Sequence, residues 1–122
     1  MKKKIAIIGA GIAGLTLGNF LQKKLNYDFI IYEKGERLNL EEGYGVQLAV
    51  NSVSILNQIE FNGLNKSDFF NPKILNFFSN QTKVCNLDLS QFNTGTEKYT
   101  TLKRSSLIKF LKDKLFSNVL RF

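Results

Sequence analysis

Histidine and tryptophan are absent from this chain of 122 residues, and cysteine, proline and methionine each occur once. Without histidine the chain has no imidazole base and no Ser-His-Asp triad, and most types of zinc site are excluded. The single cysteine, Cys85, excludes an internal disulfide and agrees with a reducing compartment. We expect Cys85 to lie half-buried in a strand and the protein to be cytoplasmic. Any chemistry must therefore come from a bound cofactor.

Long apolar runs are also absent, since Asn19 and Gln22 interrupt the best candidate for a membrane-spanning segment. Lysines followed by an apolar stretch at the N-terminus are typical of signal peptides, but four glycines interrupt that stretch. The formal charge of +7 comes from lysines spread over the whole chain, with no basic run that alternates with aromatic residues. The hydrophobic fraction of 43% is typical of a globular protein. We therefore expect neither a membrane nor a nucleic acid as partner.

The most informative feature is a Gly-x-Gly-x-x-Gly turn placed between an apolar run at residues 5–8 and a helix that we predict over about residues 12–24. The first glycine permits a tight turn, the second lets the backbone approach a pyrophosphate, and the third lets the helix pack closely on the sheet. The free N–H groups and positive dipole end of the helix would face the phosphates. The residues of this turn are Gly9, Ala10, Gly11, Ile12, Ala13 and Gly14.

Glu33 follows a second apolar strand, residues 29–32. A carboxylate at this place can accept hydrogen bonds from both ribose hydroxyls of an adenosine, and it would repel the 2′-phosphate of NADP. Within the preceding helix, Gly18 is expected to extend the smooth face against the strand. Lys23 and Lys24 are expected in its last turn, where positive charge suits the dipole. Together these features predict a dinucleotide-binding βαβ unit.

The middle of the chain begins with residues 43–48, where two glycines flank Tyr44 and indicate either a turn or a close approach of the backbone to a ligand. Asn51 is a suitable N-cap for a second helix that ends near Gly63. Its apolar face consists of Val53, Leu56 and Ile59. Residues 65–73 contain the only proline and are predicted to form a loop.

Residues 74–78 and 84–89 are predicted to form a half-exposed antiparallel hairpin, followed by a short strand at 99–103. Ser105 or Ser106 is expected to cap a last helix. Residues 119–122 begin a further strand. The apolar stripe of the last helix consists of Leu107, Phe110, Leu111 and Leu115.

In this order the motifs resemble the N-terminal portion of the FAD-dependent aromatic hydroxylases, the single-component flavoprotein monooxygenases related to p-hydroxybenzoate and salicylate hydroxylase. Two matching stretches, residues 9–15 and 32–34, are shared by many FAD and NAD proteins. The other two are more specific: residues 43–48 followed by Asn51 and its helix, and residues 104–107 at the start of the last helix. The four stretches are distributed from residue 9 to residue 107, so the resemblance extends over essentially the whole chain.

The resemblance implies an α/β fold, a Rossmann-like FAD-binding βαβ unit with an inserted antiparallel hairpin, truncated before the full domain is complete. Residues 1–122 would be the N-terminal part of an FAD/NAD(P)-binding domain. Within it, 1–34 form the βαβ unit, 74–103 the antiparallel insertion, and 105–122 a helix and the start of the third parallel strand. Residues 9–14 would hold the FAD pyrophosphate, and Glu33 the ribose with Lys34 beside it. Gln47 would lie where the chain runs past the cofactor, and Arg104 would reach FAD from the start of the last helix.

By the same resemblance the intact enzyme would use NAD(P)H and O₂ to hydroxylate a small aromatic substrate, while the 122 residues alone would be inactive. Val50 stands where the family usually has proline, and the family's later Gly-Asp motif lies beyond residue 122. Two alternatives stay open: an NAD-binding Rossmann oxidoreductase domain and a non-catalytic truncated remnant. An incomplete sheet would also favour self-association.

Overall fold

The computed structural model describes residues 1–41 and 43–122, which form two compact units. The first unit comprises residues 1–44 and 103–122, and the second comprises residues 45–102. Along the chain the strands and helices are β1 (Lys3–Ile8), α1 (Ile12–Leu21), β2 (Tyr27–Tyr32), β3 (Gly45–Leu48), α2 (Val50–Asn57), β4 (Phe69–Phe70), β5 (Ile74–Ser79), β6 (Thr82–Asp88), β7 (Thr100–Lys103), α3 (Arg104–Asp113) and β8 (Leu120–Arg121).

The first unit contains a parallel sheet in the order β1-β2-β8. Strands β1 and β2 pair along their whole length, from Lys3 opposite Tyr27 to Ile8 opposite Tyr32. Parallel neighbours need a crossover, which α1 supplies between β1 and β2. The predicted βαβ unit is therefore confirmed, and residues 119–122 do begin a third parallel strand.

Helix α1 lies close to the sheet because Gly18 has no side chain. A Cβ at Gly18 would lie 2.8 Å from Cδ1 of Ile31 and 3.2 Å from both Cε2 of Phe29 and Cδ2 of Leu115. Leu15, one turn earlier, is fully buried, as is Ile31. The predicted smooth face of the helix is confirmed, and it explains why a glycine is kept in a helix interior despite its low helix propensity.

Two amide side chains of α1 connect this helix to the C-terminal end of α3. The buried Asn19 donates to the carbonyl oxygens of Leu15 at 2.9 Å and Leu111 at 2.8 Å. Gln22 donates to the carbonyl oxygen of Lys114 at 2.7 Å and accepts from the N–H of Phe116 at 3.2 Å. The last carbonyls of a helix have no intrahelical donor, so the contact from Asn19 satisfies the buried carbonyl oxygen of Leu111.

The second unit is built from a sheet in the order β3-β7-β4 and the separate β5-β6 hairpin. The predicted antiparallel pairing of β5 with β6 is confirmed, with Ile74 opposite Asp88. The predicted apolar face of α2 is also confirmed, because Val53, Leu56 and Ile59 are buried. Two predictions were incomplete: residues 45–48 form strand β3, and the expected loop at 65–73 contains strand β4, which pairs with β7.

The predicted helix ends were wrong at four places. Helix α2 ends at Asn57 and not near Gly63. Helix α1 ends at Leu21, so Lys23 and Lys24 lie beyond its last turn. The N-cap of α2 is Ala49, and Asn51 lies inside the helix, where its Oδ1 accepts from the N–H of Ser52. The N-cap of α3 is Lys103, and the predicted caps Ser105 and Ser106 both lie inside that helix. Strand β3 is separated from α2 by one residue, and β7 is followed directly by α3. The ends of these strands therefore fix where the two helices begin.

The hairpin is far more exposed than the predicted half-exposed ribbon. Every residue of β6 is exposed, and so are five of the six residues of β5. Cys85, expected to be half-buried, is exposed. Alternation of apolar and polar residues therefore predicted the strand pairing correctly, but it did not establish that another layer covers one face.

Asn19 is expected to contribute strongly to stability. Asn19→Ala removes both donors from buried carbonyls, so the free energy of unfolding should fall by about 2 kcal/mol. Urea unfolding at neutral pH measures this change. Asn26→Ala, at an exposed position, is the control and should change the stability by less than about 0.5 kcal/mol. Equal effects of the two substitutions would contradict the role assigned to Asn19.

Candidate functional site

The turn between β1 and α1 has the backbone geometry that its glycines were predicted to provide. Gly9 has a φ of 100°, in the left-handed region that glycine adopts readily, and its N–H donates to the carbonyl oxygen of Tyr32 at 2.7 Å. A Cβ at Gly14 would overlap the carbonyl oxygen of Gly9 and lie 3.2 Å from Cγ2 of Ile7. Helix α1 can therefore start directly against the end of β1 only with glycine at both positions.

Gly11 differs from these two glycines because nothing lies within 4 Å of the place where its Cβ would be. Its backbone is extended, with a φ of −78° and a ψ of −175°, so the conformation itself does not demand glycine. It is the N-cap of α1, and no side chain caps the helix. The N–H groups of the first turn have no intrahelical acceptor, and the positive end of the dipole adds to them. The open space in front of Gly11 thus faces a set of free donors.

Glu33 lies directly after β2, and both of its carboxylate oxygens are held. Oε2 accepts from the N–H of Ala10 at 2.8 Å, and Oε1 accepts from the N–H of Gly35 at 3.1 Å. The hydrogen bond from Ala10, followed by that from Gly35, lowers the pKa of Glu33 below its usual value. The side chain is therefore ionised at neutral pH, and each oxygen keeps a lone pair for a further donor.

These groups surround a cavity of about 270 Å³ in the first unit. Among the lining residues that the structure describes, Glu33 is the one acidic side chain and Lys34, Arg37 and Arg104 are cationic. A wider cavity of about 700 Å³ shares residues 37–39 with it and is also lined by Lys112 and Phe122. The full lining of the smaller cavity consists of Ala10, Gly11, Glu33, Lys34, Gly35, Arg37, Leu38, Asn39, Arg104 and Ile108. An excess of positive charge beside free N–H groups suits a diphosphate.

Arg104, the first residue of α3, contacts Tyr44 and Asn39 within the first unit. Its backbone N–H donates to the carbonyl oxygen of Tyr44 at 3.0 Å. Its guanidinium Nη1 donates to the carbonyl oxygen of Asn39 at 3.3 Å, and its Cζ lies 5.6 Å from the centroid of the Tyr44 ring. A cation at a helix N-terminus is disfavoured by the dipole, so these contacts offset an unfavourable position.

Five of the residues predicted from the sequence line the cavity together: Ala10, Gly11, Glu33, Lys34 and Arg104. The other predicted residues of the glycine turn form its bend or the first turn of α1. Gln47 belongs to the second unit, where its Oε1 accepts from the hydroxyl of Tyr99 at 2.9 Å. Its predicted contact with the cofactor stays a prediction.

Sequence reasoning missed Gly35, Arg37, Leu38, Asn39 and Ile108 as lining residues. No spacing rule links the loop after β2 to the turn after β1, so residues 35–39 could not be assigned to the cavity from the sequence. Their proximity to Glu33 along the chain was the one available signal.

No group of three or more cysteine, aspartate or glutamate side chains is placed to hold a metal ion among residues 1–41 and 43–122. In the same residues no helix has both the length and the apolar character needed to cross a bilayer.

A parallel βαβ unit, a glycine turn and an acidic residue at the end of the second strand define the class of dinucleotide-binding Rossmann-like domains. Residues 7–40 match a family described as an NAD(P)-binding Rossmann-like domain. Over 55 residues the chain is 47% identical to the FAD-dependent monooxygenase pytG of Aspergillus terreus, a match that covers 45% of this chain and 16% of that protein.

Solved structures of oxygenases share the fold. Tetrameric 2-methyl-3-hydroxypyridine-5-carboxylic acid oxygenase matches 93% of this chain with a TM-score of 0.75 and 20% identity. For pqsL, a probable FAD-dependent monooxygenase from Pseudomonas aeruginosa, the match covers 98% of this chain with a TM-score of 0.74 and 15% identity. For 2,6-dihydroxypyridine-3-hydroxylase from Arthrobacter nicotinovorans the match covers 99% of this chain with a TM-score of 0.69 and 13% identity.

The predicted resemblance to FAD-dependent monooxygenases is therefore confirmed. The predicted α/β fold, with its Rossmann-like βαβ unit and antiparallel hairpin, is confirmed as well. The chain spans 29%, 32% and 28% of the three solved chains named above.

Glu33 should make stability depend on pH. Its folded-state pKa is lowered, so its contribution is present above the unfolded-state pKa and is lost as the pH falls through the folded-state value. We expect wild type to lose stability on acidification more steeply than Glu33→Gln. Urea unfolding between neutral pH and pH about 3 measures both slopes. Parallel curves for the two proteins would rule out this role of the carboxylate.

Proposed function

We propose that the first unit binds the adenosine diphosphate portion of FAD in the cavity between the glycine turn and Glu33. The supporting observation is the convergence of free α1 donors, an ionised carboxylate and cationic side chains on one cavity of about 270 Å³. The open space at Gly11 admits a ligand directly against the backbone. The residues present therefore fit a dinucleotide cofactor.

The roles follow from the chemistry of each group. The N–H groups at the start of α1, residues 11–14, receive the diphosphate. Glu33 accepts from the ribose hydroxyls through the lone pairs that Ala10 and Gly35 leave free. Lys34 lies beside it, and Arg104 supplies a charge-assisted contact with a phosphate oxygen. The wider cavity that shares residues 37–39 offers room for the remainder of the adenosine.

The same carboxylate selects against NADP, because a 2′-phosphate would meet a negative charge that two backbone N–H groups hold in place. FAD and NAD both carry an unmodified adenosine ribose, so Glu33 does not distinguish these two. The antiparallel hairpin formed by β5 and β6 favours FAD, since an NAD-binding domain would place a parallel strand soon after the second helix.

For the whole protein we propose a flavin-dependent monooxygenase that uses NAD(P)H and O₂ to hydroxylate an aromatic or similar small molecule. FAD supplies the redox chemistry when bound, while this chain's residues bind and orient its adenosine end. Relatives and neighbours bear names of monooxygenases, oxygenases and hydroxylases, two of them acting on hydroxypyridines. Residues 1–122 by themselves are proposed to be inactive, since they span less than a third of the oxygenase and the hydroxylase named above.

The family that matches residues 7–40 favours one alternative, an NAD-binding oxidoreductase domain. Competition between NAD and FAD for the same protein distinguishes it from the main proposal. The further alternative of a non-catalytic remnant, the expected cytoplasmic location and self-association through an incomplete sheet stay predictions.

Nucleotide titrations test the proposed site. ADP and FAD are expected to bind, whereas FMN, which lacks the adenosine half, is not. NADP should bind at least about tenfold more weakly than NAD because of the charge on Glu33. Isothermal calorimetry or flavin fluorescence measures these affinities. Failure of ADP to bind, or equal binding of FMN and FAD, would overturn the proposal.

Gly11→Leu separates binding from folding. The extended backbone accepts a Cβ and nothing lies within 4 Å of it, so the protein should fold with a melting temperature lowered only by the poorer N-cap, while the new side chain occupies the space in front of the donors. ADP affinity should fall at least about tenfold. Gly63→Leu is the matched control, because a Cβ at Gly63 also meets open space. A Gly11→Leu protein that binds ADP as well as this control would disprove the placement of the diphosphate.

A further inference from the structure

We infer that Tyr44 is a positioning residue for Arg104, the cation that reaches the cofactor cavity from α3. The inference rests on the proposed function, since it explains how a side chain outside the cavity prepares one of its ligand-binding groups. Tyr44 does not line the cavity itself, but two of its groups contact Arg104.

The two contacts act on different parts of Arg104. The carbonyl oxygen of Tyr44 accepts from the backbone N–H of Arg104 at 3.0 Å and fixes the first residue of α3. The Tyr44 ring lies 5.6 Å from Cζ of Arg104, within the range of a cation–π contact. The carbonyl oxygen of Asn39 holds the guanidinium through Nη1 at 3.3 Å. Backbone and guanidinium are thus both fixed before any ligand arrives.

Such positioning matters because an arginine side chain has many rotamers and loses that freedom when it binds a phosphate. At the start of α3 the helix dipole would also drive the guanidinium away. A ring that already holds the cation reduces both costs at the moment of binding, which raises affinity without touching the ligand. A half-exposed tyrosine, 53% accessible, therefore has a function that burial alone does not explain.

Substitutions that keep or remove the ring test this inference. Tyr44→Phe should leave ADP affinity within about twofold, whereas Tyr44→Leu should weaken it about three- to tenfold, as a partly exposed cation–π contact allows. Phe92→Leu is the matched control, because Phe92 is also 53% exposed and lies in the second unit. On an Arg104→Met background, Tyr44→Leu should have no further effect on affinity. Melting temperatures are measured for every variant.

A readout without ligand separates this inference from the proposed function. The chain has three arginines, so the Nε–H signal of Arg104 is assignable by comparison with Arg104→Lys. Tyr44 should shift that signal upfield through its ring current; Tyr44→Phe should keep the shift and Tyr44→Leu abolish it. A shift absent from wild type, or ADP affinity equal in Tyr44→Leu and Phe92→Leu, would overturn the inference. Wild type that shows the shift but binds no ADP would overturn the proposed function, and with it the purpose of the contact.

Discussion

The start of α1 against the end of β1 is the constraint on which the site depends. Gly14 must lack a side chain because a Cβ there would overlap the carbonyl oxygen of Gly9, and Gly9 must adopt a φ of 100° to turn the chain. This contact aims the N-terminus of the helix at the carboxyl ends of the parallel strands. The next residue, Ala10, then donates to Glu33 at 2.8 Å and links the turn to the end of β2. The glycine turn and the carboxylate of Glu33 are thus joined by one piece of backbone geometry.

The packing behind the site keeps this geometry in place. Gly18 brings α1 onto β2, and Asn19 fixes α1 to α3 through the carbonyl oxygen of Leu111. Helix α3 begins at Arg104, which lines the cavity. The side-chain amide of Asn19 holds the other end of the same helix. The amide that fixes α1 to α3 therefore also holds the helix that carries a lining residue of the cavity. At Arg104 the helix dipole opposes the arrangement, and the contacts with Tyr44 and Asn39 offset this cost.

Helices and strands were predicted well where their formation depends on residues that are close together along the chain. The β-branched run before Gly9 gave a parallel strand, and apolar periodicity identified the buried positions Val53, Leu56 and Ile59. Helix caps were predicted poorly, because strand ends rather than serine or asparagine side chains set where α2 and α3 begin. Burial of the hairpin was predicted poorly as well, since Cys85 was expected to be half-buried and is exposed. Burial of a strand face depends on whether another layer covers it, and alternation along one strand contains no information about that layer.

The βαβ unit, its glycine turn and the acidic residue after β2 could be predicted from the amino-acid sequence, because backbone sterics at Gly9 and Gly14 and the spacing to Glu33 are properties of a continuous segment. Three other features follow from the three-dimensional packing alone: Arg37, Asn39 and Ile108 line the cavity, Asn19 is a buried connection between two helices, and Tyr44 contacts Arg104. These contacts join residues whose proximity depends on how the helices pack on the sheet. Packing is a property of the whole fold, so no spacing along the chain encodes it.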